Sequence, residues 1–339
     1  MENFKPGEKF KSRKVTITDK FKAQCIDVEA ETPNMEGRIV VKQKLSLISP
    51  GTELAFFEGI HTDIVTGHRK YPVGGGYSSV GEVVQIGSGV KGIKEGDKVF
   101  AMFGHGSIGF PAVFHKLPEG LDERNAVFTT LASIALHAVR QANPQFGQNI
   151  LVMGLGAIGQ VTVKLLKLSP AAIIAGADTY SFRLQKGIEN GCNATLNVKE
   201  DGFEDKLHDI TSGKGFDIVI DATGKHPAIQ TALRHVAKCG KFIILGCPHG
   251  NITLDLYSTL QKNEISLIGS YQPNCPEQGN VYFPWTQSMN RQVLIDYMHS
   301  GRLNFSHLLT HLGKPEHAQE FYDMLSKEKD KCITAAFKW

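Results

Sequence analysis

The chain has 339 residues, 41% hydrophobic and 21% charged, a balance that excludes long disorder and suits two globular domains. Its formal net charge is +3, with Lys and Arg scattered, so no nucleic-acid partner is expected. No apolar run approaches the ~20 residues that span a bilayer, and the start Met-Glu-Asn-Phe-Lys-Pro lacks the apolar core of a secretory signal; no membrane partner and a cytoplasmic location are the expectations.

Up to about residue 125 the chain reads as mostly β. Arg38 to Leu47 alternates and ends at Pro50-Gly51. Gly81 to Gly87 is a second strand, and Gly96-Asp97-Lys98-Val99-Phe100 is a turn leading into a third. Short strands with Gly and Pro punctuation predict a small barrel-like domain. From Asn149 the pattern changes. Asn149 to Met153 is a short continuous apolar run, as in buried parallel strands. Ile158, Val161, Leu165 and Leu168 then recur at helical spacing, and Ala172 to Asp178 is a second buried strand. Phe216 to Thr223, Lys241 to Gly246 and Glu264 to Gly269 are further strands, with a helix expected over Ala228 to Lys238. Strand and helix in alternation predict an α/β doubly wound parallel sheet. The tail carries helices around Arg291 to His299 and Pro315 to Ser326, and a strand from Ile333.

The six cysteines (Cys25, Cys192, Cys239, Cys247, Cys275, Cys332) include no Cys-x-x-Cys pair, so free thiols in a reducing compartment are expected. The strongest motif is Gly154-Leu155-Gly156-Ala157-Ile158-Gly159, which follows a predicted strand and opens a predicted helix. Gly154 permits the tight turn, Gly156 lets backbone approach a pyrophosphate, and Gly159 lets helix and strand pack closely. The pyrophosphate is expected at the helix N-terminus, where unpaired N–H groups and the dipole favour an anion. Asp178 ends the next strand, 24 residues after Gly154. A carboxylate there accepts from the ribose hydroxyls and repels the extra phosphate of NADP, so NAD is the expected cofactor. Arg183, five residues on, could reach the same ribose or a phosphate.

At this point the chain resembles the medium-chain dehydrogenase/reductase superfamily of alcohol and polyol dehydrogenases, over nearly its whole length. The residues behind this are Pro50-Gly51-Thr52-Glu53, Gly81-Glu-Val-Val-Gln-Ile-Gly-Ser-Gly-Val, Gly96-Asp97-Lys98-Val99, the dinucleotide motif, Asp221-Ala222-Thr223-Gly224 and Leu309-Thr310-His311. Ser49-Pro50-Gly51-Thr52-Glu53 and Gly76-Tyr77-Ser78-Ser79-Val80-Gly81 look most like a subgroup labelled bacteriochlorophyllide dehydrogenase-like, which is taken as a label and not as evidence for a tetrapyrrole substrate. The resemblance implies a discontinuous GroES-like catalytic domain, residues 1–130 and 270–339, around a Rossmann domain, 131–269. It places Ala222, Thr223 and Gly246 on the cofactor. It also implies a homodimer or higher even oligomer, paired through the edge segment Asn263 to Tyr271.

Where this chain departs from the zinc-containing members, the ligand cysteine becomes Pro50, the ligand histidine Tyr77 with Ser78 for its glutamate neighbour, and the third ligand falls near Thr129. The cysteine-rich lobe of a structural zinc is absent. Zinc needs three protein ligands in a catalytic site, so metal-independent catalysis is expected. An acid/base must then stand beside the substrate oxygen. Thr52 matches the family's hydroxyl relay position. Tyr77 reads either as a hydrogen-bond or proton donor or as a wall residue filling the vacated metal site. Glu53 could tune either group. His61, His68 and His105, with Glu53 or Glu58, are an alternative, unconventional metal set. Tyr282-Phe283-Pro284-Trp285, with Asn290 and Arg291, is read either as a specificity segment or as core packing. The expected reaction is hydride transfer between NAD and a secondary alcohol of a polyol, sugar or cyclitol, with its ketone as product. An enoyl or quinone reductase and a catalytically silent NAD-binding regulator are the alternatives.

Overall fold

Ile39, Val40 and Val41 are all fully buried, as only a strand covered on both faces allows. In the computed structural model, which describes residues 4–339, the strand Ile39–Leu47 lies in the middle of a seven-stranded sheet. Its neighbours are Thr334–Lys338 on one side and Ser79–Ile86 on the other; Leu309–Gly313, Lys98–Ala101 and Phe114–Lys116 extend the sheet outward, and the short strand Ile108–Gly109 pairs with Ile39–Leu47. A three-stranded sheet, Lys22–Glu31, Lys9–Asp19 and Val73–Gly74, completes the β structure of this unit. Its core gathers Ile17, Phe57, Tyr322 and Phe337, and the helix Ala318–Lys327 enters it through Phe321, Tyr322 and Leu325. Each such side chain contributes roughly 1.5–3 kcal/mol by leaving water.

The chain divides into one compact unit of Met1–Thr130 with Arg291–Trp339 and a second of Leu131–Asn290. Residues 270–290, expected with the catalytic domain, belong instead to the second unit. Gln287 closes the segment on itself by donating to the carbonyls of Pro273 and Cys275, and Arg140 ties it to the rest of the second unit by donating to Asn290 and lying over the Trp285 ring.

The second unit holds a six-stranded, wholly parallel sheet. Its spatial order is Ala194–Asn197, Ile173–Asp178, Asn149–Met153, Phe216–Asp221, Val236–Ile244, Ser266–Gly269. In chain order this is 3-2-1-4-5-6, the doubly wound Rossmann arrangement, whose ligands sit where the order reverses, at the carboxyl ends of the strands. Ile150, Leu151 and Val152 are fully buried in the first strand, which accounts for the unbroken apolar run.

Two elements differ from expectation. Pro50-Gly51, read only as the end of a strand, is the start of a helix, Pro50–Phe57, because Pro at the first helical position has no N–H to leave unpaired. The helix expected over Ala228 to Lys238 is His226–Leu233, and by Val236 the chain is already in a strand. That strand is bulged: Val236 pairs with Phe216 but Lys241 with Ile218, and Cys239 takes φ 61°. The bulge exposes Lys238 and Cys239 together and hides the alternation that marks a strand. All six cysteines are free, and no helix among the described residues is long and apolar enough to cross a membrane.

Candidate active site

The dinucleotide loop is built by steric demand. Gly154 sits at φ +92°, and a Cβ there would also press on Thr223. A Cβ on Gly159 would overlap the Gly154 carbonyl oxygen. At Gly156 the only neighbour of an added Cβ is Arg183 Nη1, at 3.6 Å, so the outer face of the turn is open to a ligand. Gly156 caps the helix Ala157–Leu166 without a side chain, so the N–H groups of its first turn, around Ala157 and Ile158, have no intrahelical acceptor, an arrangement whose dipole favours negative charge.

Asp178 holds this loop from the adjacent strand. Its Oδ2 accepts from the Leu155 N–H at 2.7 Å, and its Oδ1 from the N–H groups of Thr179 (2.7 Å) and Tyr180 (3.1 Å). The carboxylate is 8% exposed, and Oδ2 retains an acceptor position beyond these bonds. The Arg183 guanidinium lies over the Tyr180 ring at 5.2 Å, with its Nε buried and unpartnered. Gln160, which the motif did not single out, donates to the carbonyls of Leu155 and Arg183 and accepts from Asn190. It joins the loop to the Arg183 helix. Across the point where the strand order reverses, the Ala222 N–H binds Met153 O, and Thr223 donates to Asp221 at 2.6 Å. Gly246 abuts Gly224 so closely that no Cβ fits. Burial pushes the Asp221 carboxyl up, opposed by hydrogen bonds from Thr223 and Gly224.

In the first unit, Glu53 is 3% exposed and is a hub rather than a surface acid. Its Oε1 accepts from the Ser49 N–H at 2.7 Å, and its Oε2 from His105 Nε2 at 3.0 Å and Tyr322 Oη at 2.5 Å. Burial, then the Glu53 charge and hydrogen bond, holds the Tyr322 phenol well above its ordinary range, so it stays a donor. Ser49 occupies the N-cap of Pro50–Phe57, but its hydroxyl does not cap the helix; it is hydrogen-bonded to Tyr77 Oη. Thr130 donates to the Tyr77 carbonyl at 3.2 Å. Thr52 is half-buried one residue before Glu53, its N–H on Ser49 O.

The three positions that match zinc ligands do not fit that metal. The Pro50 side chain has no donor atom, the Tyr77 hydroxyl is engaged by Ser49, and the buried Thr129 hydroxyl donates to Ala126 O at 2.7 Å. Among the described residues no group of three or more His, Cys, Asp or Glu could hold a metal ion. The alternative histidine set is not assembled: His61 stacks on Phe56 and accepts from the Asp63 N–H, His68 bonds Thr66, and His105 is consumed by Ser46 and Glu53. The aromatic segment divides. Trp285 lies under the Arg140 guanidinium at 3.5 Å and Phe283 meets His137 edge-on, whereas Val281 and Tyr282 are more than nine-tenths exposed. Tyr322 carried no signal in the sequence, Ser49 stood out only as part of the segment that ends at Glu53, and His105 only as a loop histidine; His105 and Tyr322 meet Glu53 because distant segments fold together.

Two family models match the chain. The one described as "Zinc-binding dehydrogenase" matches residues 157–287, and "Alcohol dehydrogenase GroES-like domain" matches residues 36–114. The chain is similar to D-guloside 3-dehydrogenase of Escherichia coli (strain K12), 26% identical over 266 residues that cover 74% of each chain. It is similar also to sorbitol dehydrogenase of Bacillus subtilis (strain 168), 26% identical over 218 residues, or 64% of this chain and 58% of the relative. An alcohol dehydrogenase from Escherichia coli CFT073, solved with NADH, shares the fold at TM-score 0.80 and 20% identity, covering 97% of this chain and 99% of that one. With the parallel sheet, the glycine loop and the GroES-like sheet in place, the chain belongs to the medium-chain dehydrogenase/reductase superfamily and is an oxidoreductase of the alcohol and polyol dehydrogenase type.

Proposed function

We propose that this chain is an NAD-dependent dehydrogenase that interconverts a secondary alcohol of a polyol, sugar or cyclitol with its ketone, without catalytic zinc. The observation that carries this reading is an open glycine loop in a chain whose zinc positions are Pro50, Tyr77 and Thr129. It also accords with the zinc-poor branch suggested by the sequence. Gly154, Gly156, Ala157, Ile158 and Gly159 would hold the pyrophosphate, with Ala222, Thr223 and Gly246 beside it. Asp178 would accept from the adenosine ribose through the acceptor position left on Oδ2, and Arg183 would stand beside it. A bound nicotinamide supplies the hydride donor or acceptor. The chain's part is the proton: Tyr77 Oη exchanges it with the substrate oxygen, Thr52 orients that oxygen, and Glu53 tunes Tyr77.

The test uses the protein dialysed against a strong chelator, with NAD and a panel of polyols, sugars and cyclitols, read at the NADH band. NADH should form with at least one of them, zinc should be well under one per chain, and NADH should bind more tightly than NADPH. A stoichiometric metal lost together with activity would overturn the metal-independent reading, and tighter NADPH binding would overturn the role given to Asp178. Tight NADH binding with no turnover of any alcohol would favour the regulator. Enone reduction with NADPH would favour the reductase.

The same reading includes a homodimer. The strand Ser266–Gly269 is the outer edge of the parallel sheet, and Leu256, Tyr257, Leu267 and Tyr271 around it are 64%, 64%, 39% and 64% exposed. An open edge with apolar neighbours is a liability that pairing with a second copy removes. Light scattering should give twice the chain mass of 37.2 kDa, or a higher even multiple, and a monomer at micromolar concentration would refute it.

A further inference from the structure

We infer that Glu53, His105 and Tyr322 are positioning residues for Tyr77: they fix its phenol through Ser49 and through the Gly75-Gly76 backbone, and do not themselves touch the substrate. This rests on the reading that Tyr77 handles the proton.

The direction of the network follows from what each group can donate. The Trp339 indole N–H can only donate, and it does so to Ser46 Oγ at 2.9 Å. An ionised Glu53 can only accept. Between them Ser46 and His105 are linked at 2.8 Å, and His105 and Glu53 at 3.0 Å. Because the carboxylate can only accept, His105 Nε2–H donates to Glu53, and Nδ1 is hydrogen-bonded to Ser46. The capacity of its partners thus identifies Nε2 as a proton-bearing nitrogen of His105. With the Tyr322 hydroxyl and the Ser49 N–H, the carboxylate then receives three hydrogen bonds. Ser46, Ser49, Glu53, His105 and Tyr322 are all at most 6% exposed, so water does not compete.

Two attachments carry this rigidity to Tyr77. The first runs through its hydroxyl: the Ser49 main chain is held by Glu53 while the Ser49 side chain, withdrawn from the helix cap, holds the phenol. The second runs through its backbone. The His105 N–H binds Gly75 O at 3.0 Å. A Cβ on Gly75 would lie 2.6 Å from Glu53 Oε2 and 2.7 Å from Tyr322 Oη, and one on Gly76 would lie 2.6 Å from His105 Nδ1. The two residues before Tyr77 therefore rest directly on the polar atoms of the hub, at a distance only glycine permits. A side chain anchored at both ends is held in one geometry, which is what proton transfer to a defined oxygen requires.

The test is a double-mutant cycle of Tyr322→Phe with Tyr77→Phe, using NAD and the polyol turned over fastest by the chelator-treated protein. Tyr322→Phe should lower kcat about tenfold, the worth of one buried hydrogen bond, with KM and NADH affinity within about twofold. In the Tyr77→Phe background it should lower kcat by less than about twofold further, because coupled residues are not additive. The ring left at position 322 would keep its stack on Phe57, at 5.4 Å in the native protein. Should that variant not fold, Ser49→Ala takes its place with the same expectations. A readout independent of turnover is the ¹⁹F spectrum of protein labelled with 3-fluorotyrosine, in which the Tyr77 line is identified by its loss in Tyr77→Phe. That line should shift or broaden in Tyr322→Phe and in Ser49→Ala. Equal losses of kcat in both backgrounds, or an unmoved Tyr77 line, would overturn the inference. Failure of the underlying reading looks different: Tyr77→Phe leaves kcat unchanged while the fluorine line still moves.

Discussion

Tyr77→Phe is expected to lower kcat about 100-fold, the lower end of what a positioned acid/base contributes, while NADH affinity stays within about twofold. The dinucleotide loop and Tyr77 belong to separate units, so removing one hydroxyl leaves the glycine turn, Asp178 and Arg183 as they are. The phenyl ring remains, and the Thr130 bond to the residue 77 carbonyl does not involve the side chain. The freed Ser49 hydroxyl can turn to the first-turn N–H groups of its own helix, which it does not cap in the native protein. The fold should therefore lose no more than about 1 kcal/mol. Steady-state kinetics with a fluorescence titration of NADH checks both halves. Retention of kcat within about twofold would reduce Tyr77 to a wall residue occupying the place of a ligand.

Glu53→Ala has the opposite signature, a large loss of stability. It leaves the Ser49 N–H, His105 Nε2 and Tyr322 Oη without their acceptor, in a region from which water is excluded. Unsatisfied buried donors cost about 1–3 kcal/mol each, and breaking a buried charged network typically costs about 3–5 kcal/mol in all. At about 2–4 °C per kcal/mol for a unit of this size, Tm should fall by roughly 10 °C. Glu53→Gln should cost less, because its amide oxygen still accepts, although its amide nitrogen then faces a donor. Differential scanning calorimetry of the two variants decides it. A loss below about 1 kcal/mol for the alanine variant would mean that the hub is not the fixed point of this unit.

The identity of the second unit was legible in the amino-acid sequence because its signals are local. Continuous apolar runs, a glycine motif between strand and helix, and an aspartate at the next strand's end are constraints within about thirty residues. They placed Gly154, Gly156, Gly159 and Asp178 where the fold holds them. That the side chain at position 50 offers no metal ligand was legible too, since the proline ring carries no donor atom. The hub was not. Glu53 read only as a neighbour able to tune Thr52 or Tyr77, because sequence gives a residue's neighbours along the chain and not its burial. His105 looked like a loop histidine, and Tyr322, 269 positions from Glu53, like one aromatic on a helix. Only the tertiary structure brings Ser49, Glu53, His105 and Tyr322 within hydrogen-bonding distance and strips the water from around them. Once buried, each polar atom must find a partner inside the protein, and that requirement gives these residues their role.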